Sequence, residues 1–211
     1  MPDQPWTSAP MSVIDLEGTG AQDRDNEAIL EIAVVPLVGG SPDSAAGWET
    51  LINPGRPIPR KPWISPGLTD DGLGDAPTPA EIAPTLATMA DGRYLVGHNV
   101  GVDWRLLHRR HPDVQPAGLI DTMRLARKTE GKAPKSLGAL VDRYGLRDRI
   151  TDLVPDGRPH RAMWDTVAAG LLLPVLVAEL WENPPTIKAL LDTAGLPLGN
   201  EPVGFEQPPL L

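Results

Sequence analysis

The chain has 211 residues, 41% of them hydrophobic, no cysteine and a formal net charge of −9. That length supports one large domain, or one domain with tails, whose core needs no cross-links. The lack of cysteine excludes disulfides and thiolate metal sites, and the negative charge argues against a protein that coats duplex DNA by electrostatics alone.

The opening stretch, MPDQPWTSAP, has no basic n-region and no apolar h-region, so no signal peptide is expected, and residues 1–10 read as a tail. Ser12–Glu17 reads as a strand, the β-branched run Ala28–Val38 as a second, and the alternating Trp48–Gly55 as a third. Short links between them suggest an antiparallel meander. From Arg56 to Pro79 the chain is rich in Pro, Gly and Asp and reads as a long ordered loop. A helix is predicted after Thr78 as N-cap, with Pro84 arguing against perfect regularity. A short buried strand over Arg93–Asn99, a helix over Val102–His111 with Val102 and Leu106 on one face, and a fifth strand over Gly118–Asp121 follow. Two more helices, a polar loop over Leu146–His160 and a long helix from Arg161 to about Trp181 complete the pattern. Its apolar part, Gly170–Trp181, is too short to span a bilayer, so no membrane contact is expected. Residues 11–182 therefore read as one α/β domain, a mixed sheet flanked by helices. Residues 183–211 read as a proline-rich extension with one short helix. A cytoplasmic location is the expectation from this composition.

Charge is unevenly spread. Arg105–Arg161 holds 13 basic and 7 acidic residues, against 6 and 21 in the rest. That pattern fits a solvated mixed surface, or a basic path beside an acidic site.

In a strand, residues i and i+2 share a face, so Asp15 and Glu17 stand side by side. Such a pair either lies in water at a strand end or needs a cation between the carboxylates. Asp103 follows a strand at a helix start, where the helix dipole alone would favour an acid. His160 and Asp165 stand five apart at the start of the long helix.

Together these segments resemble the three motifs of the DnaQ-like 3′→5′ exonucleases of the DEDDh subclass. Asp15, Glu17, Thr19 and Gly20 match the first motif, His98, Asn99 and Asp103 the second, and His160 with Asp165 the third. In the sister subclass a tyrosine stands four residues before the last acid; here that position is Arg161. Three positions depart from the common pattern: Gly18 after Glu17, Val102 before Asp103, and Pro66 where a histidine is usual. The resemblance implies an RNase H-like fold with a five-stranded mixed sheet. It implies that Asp15, Glu17, Asp103 and Asp165 bind two divalent cations, Mg²⁺ or Mn²⁺, that His160 is the general base, and that the backbone near Gly18 and Thr19 and the side chain of His98 contact the terminal nucleotide. The implied substrate is a single-stranded or frayed 3′ end of DNA, with release of nucleoside 5′-monophosphates. An exoribonuclease or oligoribonucleotide hydrolase, and a non-catalytic scaffold subunit of the same fold, are the alternatives. The last five residues, Gln207–Leu211, loosely resemble peptides that dock on bacterial sliding clamps, so a clamp or polymerase contact through the tail is a further expectation.

Overall fold

The structure, a computed structural model, describes residues 3–199. The Gln207–Leu211 stretch lies outside them. The sheet has seven strands rather than five: β1 (Met11–Gly18), β2 (Ile29–Val38), β3 (Ser41–Pro42), β4 (Trp48–Leu51), β5 (Tyr94–Gly97), β6 (Gly118–Asp121) and β7 (Gly195–Leu196). The two additions, β3 and β7, are two-residue pairings at the edges, too short to leave a period in the sequence. The order is β3-β2-β1-β5-β6-β7, with β4 also on β2. The expected meander is present, since β1, β3 and β4 all pair antiparallel to β2. β1, β5 and β6 run parallel, and β7 runs antiparallel to β6.

Alternation along β1 sorts its side chains onto two cores. Met11 and Val13 join Val35, Val96 and Ile120 under α4 (Thr122–Thr129), α5 (Leu137–Arg143), α6 (Arg147–Leu153) and α7 (Ala162–Leu180). Ile14 joins Ile32, Val34, Leu95 and Leu119 under α2 (Pro79–Ala90) and α3 (Val100–Arg110). α2 opens with the expected Thr78 cap, closed by Glu81 as a capping box, and carries Pro84 within it. In α3 the buried stripe is Val100, Trp104 and Leu107, with Leu106 beside it, whereas Val102 is exposed. The loop expected over 146–160 contains α6, whose Leu146, Ile150 and Leu153 face the core at helical spacing. The loop after β4 contains the short α1 (Asp70–Leu73).

α7 starts at Ala162 and runs 19 residues, so by length and composition it could cross a membrane, contrary to the shorter apolar run expected. Most of it is buried against β1 and β2 as the central core helix. The segments expected to be a tail and an extension also pack on this core. Trp6 is buried, its N–H donates to Pro185 O (3.0 Å), and the Ile187 N–H donates to Gln4 O (3.0 Å). α8 (Ile187–Ala194) adds Ile187 and Leu190 to the same cluster.

Candidate active site

β1 pairs with β5 only through Val13, so its last residues run beyond the parallel neighbour. That leaves the carboxyl end of the strand clear of β5, and strand carboxyl ends are where α/β sheets bind ligands. Asp15 and Glu17 continue the face of Met11 and Val13, which places them under the first turn of α7. Asp165, in that turn, completes a cluster: Asp15, Glu17 and Asp165 offer oxygens that all lie within 4.8 Å of one another. Asp103 falls outside this group of three. It reaches β1 from α3 on the other side of the sheet, and its Oδ1 accepts the Leu16 N–H (3.2 Å), a donor that the sheet leaves free.

The cluster is electrostatically expensive. Burial, followed by repulsion from Asp103, Asp165 and Glu17, raises the Asp15 carboxyl well above its ordinary range. Burial also pushes Glu17 up to about 7 and Asp103 to about 8. It pushes Asp165 to about 6, against the opposing influence of His160. Each part of the site has a brace. Ser65 Oγ donates to Glu17 Oε2 (2.8 Å). The His160 N–H donates to Asp165 Oδ2 (3.0 Å), while the His160 side chain is exposed and its backbone takes a φ of 63°. Arg158, from the loop that carries His160, donates to Pro66 O (3.4 Å) and so links the two flanking loops.

Sequence reasoning missed Glu31. It sits opposite Glu17 in the β1/β2 register, is 2% exposed, and accepts three hydrogen bonds from Arg161 at 2.7, 2.8 and 3.0 Å. The available signal was an acid within a β-branched run, since a buried carboxylate demands a partner. This pair fixes the residue between His160 and α7. Arg161→Ala is expected to strand the Glu31 charge and cost about 2–4 kcal/mol, at the lower end of a broken buried pair because the arginine is partly exposed. The thermal midpoint should fall by roughly 5–10 °C in circular dichroism. Adding Glu31→Gln should recover part of that loss, and a single variant that melts with the wild type would show the pair to be dispensable.

The expected nucleotide contacts fare differently. Gly18 lies where a Cβ would stand 2.8 Å from Ala28 O, so close strand approach already requires glycine there. Thr19 is buried; its N–H donates to Ala28 O, its Oγ1 accepts the Ala28 N–H and its carbonyl accepts the Trp63 indole N–H. His98 Nδ1 pairs with Thr122 Oγ1 (2.9 Å) and Nε2 with Lys135 O (2.7 Å). The polar atoms of the Thr19 and His98 side chains are thus spent inside the protein. Both side chains lock loops around the site. Asp121, also missed, accepts the Asn99 and Met123 N–H groups (2.7 and 2.9 Å) and ties the second motif to α4.

Residues 12–173 match the RNase_T family model, described as "Exonuclease". A DNA polymerase III subunit epsilon-like protein of Rhodobacter capsulatus is 33% identical over 175 residues, covering 79% of this chain and 24% of that protein. The DNA polymerase III subunit epsilon of Aquifex aeolicus is 28% identical over 180 residues, covering 80% of this chain and 81% of its own length. The chain spans about a quarter of the length of the first curated relatives it matches. Among solved structures, exonuclease X in complex with 5′ overhanging duplex DNA superposes with a TM-score of 0.61 at 25% identity, covering 85% of this chain and 98% of that one. With three acids gathered at the open end of β1, and a family match running from that strand into α7, the chain belongs to the RNase_T exonuclease family.

Proposed function

We propose that this chain removes nucleotides one at a time from the 3′ end of DNA, releasing nucleoside 5′-monophosphates, with two divalent cations, Mg²⁺ or Mn²⁺, as cofactors. The observation that carries this reading is the convergence of Asp15, Glu17 and Asp165 within 4.8 Å, with Asp103 anchored beside them on Leu16. The donor set fits such ions. Every donor is a hard carboxylate oxygen, burial and mutual repulsion raise the affinity of each for a positive charge, and the nearby Arg161 is already engaged by Glu31. Asp15, Glu17, Asp103 and Asp165 would hold the ions. When bound, they supply the Lewis-acid charge that stabilises the attacking and leaving oxygens of a phosphoryl displacement.

The chain's own residues do the rest. Ser65 orients Glu17, and the backbone of Leu16 orients Asp103. His160 is exposed at the start of the segment leading into α7, and its imidazole would take the proton of the attacking water. DNA is favoured because exonuclease X was solved with DNA and the relatives are named as DNA polymerase III subunits. The same names support association with a polymerase.

The test uses 5′-labelled single-stranded DNA and RNA with Mg²⁺, Mn²⁺ or EDTA. A descending ladder on DNA in either metal, and none in EDTA, is expected. Immediate release of the 5′ label as a mononucleotide would reverse the polarity, and faster loss of RNA than DNA would reassign the substrate.

A further inference from the structure

Loop residues 61–65 fold over the first motif, and one of them has no structural reason to face water. Trp63 is 46% exposed and is the only exposed tryptophan or tyrosine among the described residues; the other five tryptophans are buried or half-buried. Exposing so large an apolar surface needs an explanation when the other described tryptophans and tyrosines are buried or half-buried. The ring is also held in place. Its Nε1 donates to Thr19 O (3.1 Å), two residues beyond Glu17, and Ser65, two residues beyond Trp63, holds Glu17 itself. Gly20 makes room for it: with a φ of +87°, a Cβ there would lie 2.7 Å from Trp63 Nε1. The Lys61 ammonium stands 5.7 Å from the ring centroid. A fixed indole with a mobile cation over its ring, next to the acidic cluster, matches what a single-stranded nucleic acid offers: a flat base with a phosphate next to it.

We infer that Trp63 is a stacking platform for one unpaired base of the substrate, with Lys61 beside it for the adjoining phosphate. This rests on the exonuclease reading and adds a specificity element to it. Stacking tolerates any base, so this wall selects unpaired ends over duplex without selecting sequence.

The test is equilibrium binding, by fluorescence anisotropy, of a 5′-labelled single-stranded DNA 12-mer in EDTA and low salt. Trp63→Ala is expected to raise Kd roughly five- to a hundredfold, the loss of one stacked base. Trp63→Phe keeps a ring and should recover most of the affinity although it lacks the bond to Thr19. The decisive arm places an abasic residue at each of the last four 3′ positions in turn. At the stacked position the Trp63→Ala penalty should vanish, because the base it acts on is already gone. A penalty of equal size at all four positions, or no penalty on the intact strand, would overturn the inference and leave Trp63 as a brace for Thr19. The outcomes separate from those of the exonuclease reading. Trp63-dependent binding without any hydrolysis in Mg²⁺ would sink that reading alone, and hydrolysis without dependence on Trp63 would sink the platform alone.

Discussion

Asp15→Asn is expected to lower the rate of DNA hydrolysis by roughly a thousandfold or more. The cations are asked to supply several kcal/mol of charge stabilisation, and each 1.4 kcal/mol is a factor of ten. Asp15 is the acid on which the others bear hardest, since Asp103, Asp165, Glu17 and Glu31 all resist its ionisation. For the same reason the variant should be more stable than the wild type when no metal is present. An amide of the same shape removes a buried charge that four neighbours repel, a change worth about 0.5–2 kcal/mol, or several degrees in thermal midpoint. Lost turnover with gained stability is the signature of a ligand site, because a residue that merely shaped the fold would lose both. A rate within tenfold of wild type would remove Asp15 from the site.

The raised acids also set a pH dependence. Glu17 rises from 4.5 to about 7, and Asp103 from 3.8 to about 8. In the metal-free protein these groups keep protons that the unfolded chain has already released. Their contribution to stability is full below the unfolded values and is lost as the pH rises through 7 to 8. Divalent ions compete with those same protons. The gain in thermal midpoint on adding Mg²⁺ should therefore be small at pH 5.5 and grow towards pH 8, and it should be weak throughout in Asp15→Asn.

The acids were singled out in the sequence by the resemblance of their three motifs, and local periodicity accounts for part of their placement. A spacing of two puts Asp15 and Glu17 on one face whatever the partner strands do, and Asp165 lies within one turn of a helix start that the pattern marks. The supports around them were not legible. Glu31 and Arg161 are 130 residues apart, and only the β1/β2 register brings Glu31 beside Glu17. Ser65 reaches Glu17 from a loop whose path has no periodicity to read. β7 is set by where α8 docks, not by its own two residues. The internal bonds of His98 and Thr19 were not legible either. Their hydrogen-bond partners, Lys135 and Ala28, come from chain folding alone, and these turn both side chains inward.

His160→Asn is expected to cost roughly two to four orders of magnitude in turnover, the usual worth of a positioned general base, while leaving the metal-induced rise in thermal midpoint intact. Asparagine suits the position because its backbone tolerates the left-handed conformation that His160 adopts at φ 63°. The bond from the residue-160 N–H to Asp165 Oδ2 is a main-chain contact and survives the change. The substitution thus removes the imidazole and little else, and the cluster of Asp15, Glu17 and Asp165 does not include it. His160→Gly keeps the same backbone and opens space at an exposed rim. Added imidazole should then restore part of its activity, with a dependence on concentration that saturates, and it should do nothing for the Asp15→Asn protein. Moving the base to the next position, as in the sister subclass, is not open to this chain, because residue 161 is the arginine that holds Glu31. A His160→Asn protein within tenfold of the wild-type rate, or a glycine variant indifferent to imidazole, would mean that another group takes the proton from the attacking water.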